Sequence, residues 1–256
     1  MRIITCCKAV PEGQDILIKS NGDISLERAK LTISDFDLNG IEAGAQIIET
    51  VGGDLVALSA GAANINDSKL RKNILSRGPE SLFMISDDTL ANMDTHQTAQ
   101  VLKAAIQKIG NYDLILCGEG SADLYAQQLG AQLGQLLNLP TINSISKITV
   151  ADNHLLVERT LEDEVEILEI SLPALISVTA DINLPRLASM KDILAAGKKP
   201  ATVWSAKDIE NASVPKTIEV LETKAPKQVE RKQEIIIGDS DEDIQKFIQK
   251  ISKVLK

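Results

Sequence analysis

A chain of 256 residues is long enough for one large domain with an appendage, and 44% hydrophobic with 25% charged residues is ordinary for a water-soluble globular protein. A formal net charge of −9 argues against nucleic acid as a main partner, because phosphate backbones demand clustered Lys and Arg. No apolar run reaches the length of a membrane span, and the opening MRIITCCKAV is strand-like without the layout of a signal peptide, so the expected compartment is the cytoplasm.

Cys6, Cys7 and Cys117 lie in or beside apolar runs, lack metal-ligand spacing, and are expected to be buried, reduced thiols. His96 and His154 are far apart and have no partner set for catalysis. At 2% aromatic content the rings are only Phe36, Phe83, Phe247, Tyr112, Tyr125 and Trp204. Any nucleobase or flavin would therefore be gripped by backbone and aliphatic groups, or shared with another chain.

In chain order, Arg2–Val10 reads as a strand and Asp35–Thr50 as a helix with Ile41, Ala45 and Ile48 on one face. Asp54–Ala60 is a second strand ending in Gly61, and Asn64–Leu75 a helix after the small-residue loop GAAN. A strand at Ser81–Ser86 precedes a helix at Asp94–Ile109, whose stripe is Val101, Leu102, Ala105 and Ile109. Asp113–Cys117 is the next strand, and a helix is expected over Asp123–Leu137 with Asp123 as its N-cap. This alternation predicts an α/β fold with a mainly parallel, doubly wound sheet covered on both faces.

From Thr141 the pattern changes. Ile145–Val150, Leu155–Thr160, Val165–Ser171 and Ala174–Thr179 read as strands with turns at Asp152–Asn153 and Asp163–Glu164, an antiparallel β-hairpin extension joined to the same sheet. A short helix at Met190–Ala195 is stopped by Gly197. Ala206–Gln233 is polar and irregular and reads as an arm without a core of its own. A strand-like Glu234–Ile237 then leads to a helix at Glu242–Val254, whose apolar stripe of Ile244, Phe247, Ile248 and Ile251 must dock on this chain or on a partner. The expected division is an α/β nucleotide-binding domain over 1–200 and a C-terminal arm with a terminal helix over 201–256.

Ligands of open α/β sheets bind beyond the carboxyl ends of the strands. Three small-residue loops fall there: the segment after Cys6, Ser59–Ala62, and Gly118–Asp123. In DLILCGEGSADLYAQQLG the glycines admit close backbone approach, and the first turn of the following helix offers unpaired N–H groups to a phosphate. The pattern is Gly-x-Gly-x-x-Asp, without the third glycine of the dinucleotide fingerprint. No nucleophile–base constellation and no metal-ligand set is visible, so no catalytic residue is assigned.

The stretch VERTLEDEVEILEISLPALIS, Val157 to Ser177, resembles the signature of the electron-transfer flavoprotein beta subunit, through Val157, Arg159, Glu162, Asp163, Glu164, Glu166, Leu168, Pro173, Leu175 and Ile176. Ser177 stands where that signature prefers Thr, Ala or Cys. SDFDLNGIEAG, GEGSADLYAQQLG and DINLPRLASMKDILAAGKKP resemble its helix entry, adenine-nucleotide loop and partner-recognition region. APKQVERKQ and the final helix look most like the branch found in enteric operons for acyl-CoA and carnitine metabolism.

The resemblance implies an adenine-nucleotide-hydrolase-like domain in a heterodimer with an alpha subunit that carries most of a redox-active FAD. It also implies AMP in the beta chain, or a second FAD with NADH as donor in the electron-bifurcating branch. Exchange partners would be acyl-CoA dehydrogenase-type enzymes, in fatty acid or carnitine metabolism. Carried over by motif, the adenine and ribose side would involve Cys6, Ser34, Asp35, Phe36, Asp37 and Ala60. The phosphate side would involve Gly118, Glu119, Gly120, Ser121, Asp123, Gln127, Gln128 and Leu129. Asp35 and Asp37 replace less charged residues of the mitochondrial-like branch, which leaves AMP and FAD both open.

Met190 stands where the family places an aliphatic residue that enters a dehydrogenase pocket; the alternative is that it packs its own short helix. Arg186 is read as pairing with phosphate or an alpha-subunit carboxylate, or within the chain, and the Glu162–Glu164 cluster as a hairpin tip. A stand-alone adenine-nucleotide-binding protein is the reading from outside the family. An ATP-pyrophosphatase is excluded for want of a Ser-Gly-Gly-x-Asp-Ser loop.

Overall fold

The computed structural model describes residues 1–151, 154–210, 215–227 and 233–254. The expected turn at Asp152–Asn153 and part of the arm, 211–214 and 228–232, lie outside the described residues. In order the elements are β1 (Arg2–Cys6), β2 (Ala9–Pro11), β3 (Leu17–Ile18), β4 (Ile24–Ser25), β5 (Leu31–Ile33), α1 (Asp35–Val51), β6 (Asp54–Gly61), α2 (Ser68–Leu75) and β7 (Ser81–Ser86). There follow α3 (Thr95–Ile109), β8 (Leu114–Gly118), α4 (Leu129–Leu137), β9 (Thr141–Ile145), β10 (Lys147–Val150), β11 (His154–Thr160), β12 (Val165–Ser171), β13 (Ala174–Val178), α5 (Met190–Ala196), β14 (Ala201–Trp204) and α6 (Asp241–Val254).

Seven strands make one parallel sheet in the order β14-β7-β6-β1-β8-β13-β9. Strand residues alternate between its faces, as a pleated strand requires. Ile4, Cys6, Ile115 and Cys117 pack with Val101, Leu102, Ala105 and Ile106 of α3 and Leu133 of α4. Ile3, Leu114 and Leu116 meet Ala43, Ala45 and Ile47 of α1, while Ala57, Leu82 and Met84 meet Leu70, Ile74 and Leu75 of α2. The sheet is thus covered on both faces, as the alternation of strands and helices predicts. The chain runs outward from β1 through β6 to β7, then returns to place β8 on the other side of β1. That reversal puts the topological switch point between the exits of β1 and β8.

Several expected elements differ. The first strand breaks after Cys6, and Ala9–Pro11 pairs instead with β5 in a small antiparallel sheet. The helix expected from Asn64 begins at Ser68, because Asp67 caps the amides of Lys69 and Leu70. The hairpin extension is not joined to the main sheet by hydrogen bonds: β10, β11 and β12 form their own antiparallel sheet, and only β13 enters the parallel one. Its inner face, with Leu155, Val157 and Ile170, packs into the α1-side core, which covers that face without any strand pairing. Ala201–Trp204, read as part of an arm, is β14, the edge strand paired to β7, with Trp204 against Phe83 and under the Lys108 ammonium. The α3 start is as expected, with Asp94 and Gln97 forming a reciprocal capping box.

The chain divides into two compact units, one of residues 1–17 and 25–222 and another of 18–24 with 223–256. In the first, Thr217 reaches back to the Asp94 carboxylate through its N–H and hydroxyl. In the second, Asp23 bridges Lys224, and Glu234 pairs with Lys250 at 2.6 Å. Glu234–Ile237 forms no strand, leaving Ile235 and Ile237 exposed. The α6 stripe of Ile244, Phe247, Ile248 and Ile251 is likewise exposed.

Candidate functional site

The exits of β1 and β8 are bound together by side chains of the α1 entry. The β1–β8 register ends at Thr5 opposite Leu116. Beyond it, Asp37 accepts the Lys8 N–H at 2.7 Å and the Gly118 N–H at 3.3 Å. Ser34, fully buried, donates its own N–H to the Lys8 carbonyl, and its hydroxyl oxygen accepts the Ala122 N–H at 3.2 Å. Gly118 has to be glycine here, since a Cβ would come within 2.7 Å of the Phe36 carbonyl carbon. Burial pushes the Asp37 carboxyl up to about 7, against the opposing pull of the Lys8 and Gly118 amides and the Lys8 charge.

Lys8, which sequence reasoning did not place among the site residues, is the local cation. Its ammonium holds both oxygens of Asp123, at 2.7 and 2.8 Å. Burial raises the Asp123 carboxyl, but Lys8 and the Ser121 hydroxyl outweigh it and hold the group below the usual carboxylate range. The available signal was a lone basic residue immediately past an apolar strand exit.

Asp123 therefore does not cap a helix. The expected helix over Asp123–Leu137 starts only at Leu129. Tyr125 and Gln127 adopt positive φ values of 46° and 55°, conformations that interrupt a right-handed helix, and Asp123 spends its acceptors on Lys8, Ser121 and its neighbour Leu124. The fold-back lays the Tyr125 ring over Gly120, where a Cβ would sit 2.5 Å from it, and against Phe36 with centroids 4.9 Å apart. Sparse as the aromatics are, two of them meet at this loop.

At the α4 N-terminus Gln128 supplies no side-chain cap, and the first turn holds no carboxylate. Gln128 instead accepts from Thr95 and Gln132. The unpaired amides of that turn, with the adjacent Asp123 charge neutralised by Lys8, make a donor set suited to an anion. Cys6 differs from the rest: its thiol is buried on the α3 side beside Cys117, and the Cys117 contact and burial raise its pKa, so only its backbone faces the strand exit. Asp35 is exposed, and Ala60 lies at the next-to-last position of β6, one strand away.

The electron transfer flavoprotein domain matches residues 23–209 of the chain. The chain belongs to the electron transfer flavoprotein family. Membership carries, at the level of the family, an association with flavin, with electron transfer, and with a second subunit and dehydrogenases in general. Among the described residues, no helix is long and apolar enough to cross a membrane.

The two remaining predicted residues, Arg186 and Met190, lie away from the strand exits, in the segment after β13 that crosses α1. Asn39 donates to the carbonyls of Ala180 and Asn183, and Asn183 returns a bond to the Asn39 carbonyl. Arg186 makes an intrachain pair: its Nε meets Glu42 at 2.6 Å, its Nη1 meets Glu49 at 2.6 Å, and its backbone N–H also donates to Glu42. Burial would raise the Glu42 carboxyl, yet Arg186 holds it below its ordinary value. Arg77 grips the Arg186 carbonyl. The pinned segment turns Leu184, Leu187 and Met190 outward at 90%, 90% and 74% exposure. Met190 thus opens α5 as its first residue without packing into it, while Ser189 and Asp192 form the capping box.

The hairpin tip at 161–164 closes with the Leu161 N–H on the Glu164 carbonyl, and Arg159 forks onto Glu166. Two grooves lie elsewhere: one of about 320 Å³ between α1 and β10, and one of about 630 Å³ around Met1, Asp113 and Pro173 at the opposite ends of the strands. The strand-exit loops line neither.

Proposed function

We propose that the chain is the beta subunit of a heterodimeric electron-transfer flavoprotein that holds an adenine nucleotide, AMP, at the β1 and β8 exits. The observation that carries this reading is the convergence at the switch point of a glycine-bearing loop, an uncapped α4 N-terminus and a neutralised Lys8–Asp123 pair. Ser121, Gln127, Gln128 and the amides of Gly120 and Leu129 would hold the phosphate, and Phe36 would flank the nucleoside. FAD held mainly by the alpha subunit supplies the redox chemistry. This chain's part is to anchor that subunit, exclude water on one side, and present the segment around Met190 to an acyl-CoA dehydrogenase-type partner. The exposed α6 stripe supports a partner-wrapping role for the C-terminal arm and weighs against a solitary nucleotide-binding protein. The cytoplasm and the enteric acyl-CoA and carnitine branch belong to the same proposal.

The test is co-expression with an alpha-type electron-transfer flavoprotein subunit, purification of the pair, and mass measurement of nucleotides released on denaturation. One FAD and one AMP per pair is the expected result. Two FAD would favour the bifurcating reading with NADH as donor, and a pair without flavin absorbance would refute the assignment.

A further inference from the structure

Asp37 is 6% exposed, and both of its carboxylate oxygens are engaged by backbone amides. One accepts the Lys8 amide at 2.7 Å and the other the Gly118 amide at 3.3 Å. These amides belong to the exits of β1 and β8, which part company at the switch point after the parallel ladder has ended at Thr5 and Leu116. No strand pairing spans the gap there; side chains do, and the Asp37 carboxylate joins a backbone amide of each exit. Two other ties cross it, Ser34 at the α1 entry to Ala122 and Lys8 to Asp123.

We propose that Asp37 is a positioning residue of the nucleotide site: it brackets the β1 and β8 exits through the Lys8 and Gly118 amides, and adenylate affinity depends on that bracket. The proposal rests on the reading that these loops hold an adenylate, and assigns Asp37 a place behind them. Both amides need an acceptor, and the ionised carboxylate accepts strongly on both oxygens; a proton turns one of them into a hydroxyl, a donor with weaker remaining acceptor capacity. Because burial raises the group to about 7, the bracket is complete above that pH and opens below it. The groups facing it are the Lys8 ammonium and the Asp123 carboxylate from the loops and the Cys7 thiol just past β1, with the Cys6 thiol on the opposite face of the sheet also within electrostatic reach. Lys8 favours the ionised form, and Asp123 opposes it. Both thiols have raised pKa values, so they stay neutral through this range. Asp35, on the same turn of α1, is exposed.

The experiment measures AMP affinity of the full-length chain and of Asp37→Asn by calorimetry between pH 6 and 8. AMP's own phosphate ionisation, near pH 6, acts on both proteins alike and cancels in the comparison. If binding requires the ionised carboxylate, affinity of the unaltered chain falls about tenfold from pH 8 to pH 6 beyond the change seen in D37N, which binds weakly throughout. A second measurement needs neither nucleotide nor variant. Amide exchange at Lys8 and Gly118, corrected for intrinsic rates, is more protected at pH 8 than at pH 6. Parallel pH profiles for the two proteins, or protection independent of pH, would overturn the proposal. Failure of both proteins to bind AMP would refute the nucleotide reading instead, and amide exchange would still decide whether the bracket exists.

Discussion

Glu42 and Arg186 tie the segment after β13 to α1, and removing Glu42 tests how much of that segment's order comes from a single carboxylate. Glu42 takes the Arg186 backbone N–H at 3.1 Å, Nε at 2.6 Å and Nη2 at 3.1 Å, with its side chain 7% exposed against 33% for Arg186. Breaking a fully buried pair by removing one partner costs about 3–5 kcal/mol. Arg186 is a third exposed and keeps Glu49 at 2.6 Å, so water and that second carboxylate recover part of the loss, and Glu42→Gln should cost about 2 kcal/mol. Arg186→Ala should cost about 3 kcal/mol, because it strands the more buried charge.

The pH dependence has a definite sign. Glu42 lies below its ordinary 4.5, so its contribution is present above that value and is lost as pH falls through the lower folded-state pKa. Urea unfolding at pH 7 and in acid checks both statements. The gap between the unaltered chain and E42Q should hold near neutrality and close in acid, and a double-mutant cycle with R186A should return a coupling of about 1–2 kcal/mol. A gap under about 0.5 kcal/mol at pH 7, typical of a surface substitution, or one unchanged in acid, would refute the reasoning.

Gly118→Ala should cost about 2 kcal/mol or more and weaken nucleotide retention, since its Cβ would meet Phe36 backbone at 2.7 Å; differential scanning calorimetry and released-nucleotide mass read the two effects. Met190→Ala should leave unfolding free energy within about 0.5 kcal/mol, because the side chain is 74% exposed, while slowing electron exchange with the dehydrogenase partner; unchanged exchange kinetics would remove Met190 from the docking surface. Asp37 should make the unliganded fold more stable as pH falls from about 7 toward 4, by up to about 4 kcal/mol, since its folded pKa is raised above 3.8. The slope is opposite to that of an ordinary salt-bridged carboxylate, and D37N should abolish it in a pH series of urea titrations. Stability and nucleotide affinity would then favour opposite protonation states of one group.

Much of the architecture was legible because it is periodic. The stripe of Ile41 and Ala45 on α1, and of Val101, Leu102 and Ala105 on α3, lies in the core as the 3.6-residue spacing requires. Apolar runs at Leu114–Leu116 and Leu175–Ile176 are central strands for the same reason. The helix expected from Asp123 was misread because its composition suits a cap, whereas Lys8, 115 residues away, claims the carboxylate. The strand expected at Glu234–Ile237 fails because β-propensity without a neighbouring strand has no ladder to join. In the candidate site, the small-residue loop could be read from Gly118–Asp123, but Lys8 and the carboxylate of Asp37 acquire their roles only through contacts distant in sequence.

Local patterning thus dictates α/β alternation, the two-sided sheet and where its exit loops fall, since helix and strand periods need no knowledge of distant residues. Strand order, the detached three-stranded sheet, the Asp37 tie between two loops and the pinning of Arg186 on α1 are settled by the folded chain alone. Each depends on which groups meet across a hundred residues or so, and on the desolvation and hydrogen bonding that only such a meeting creates.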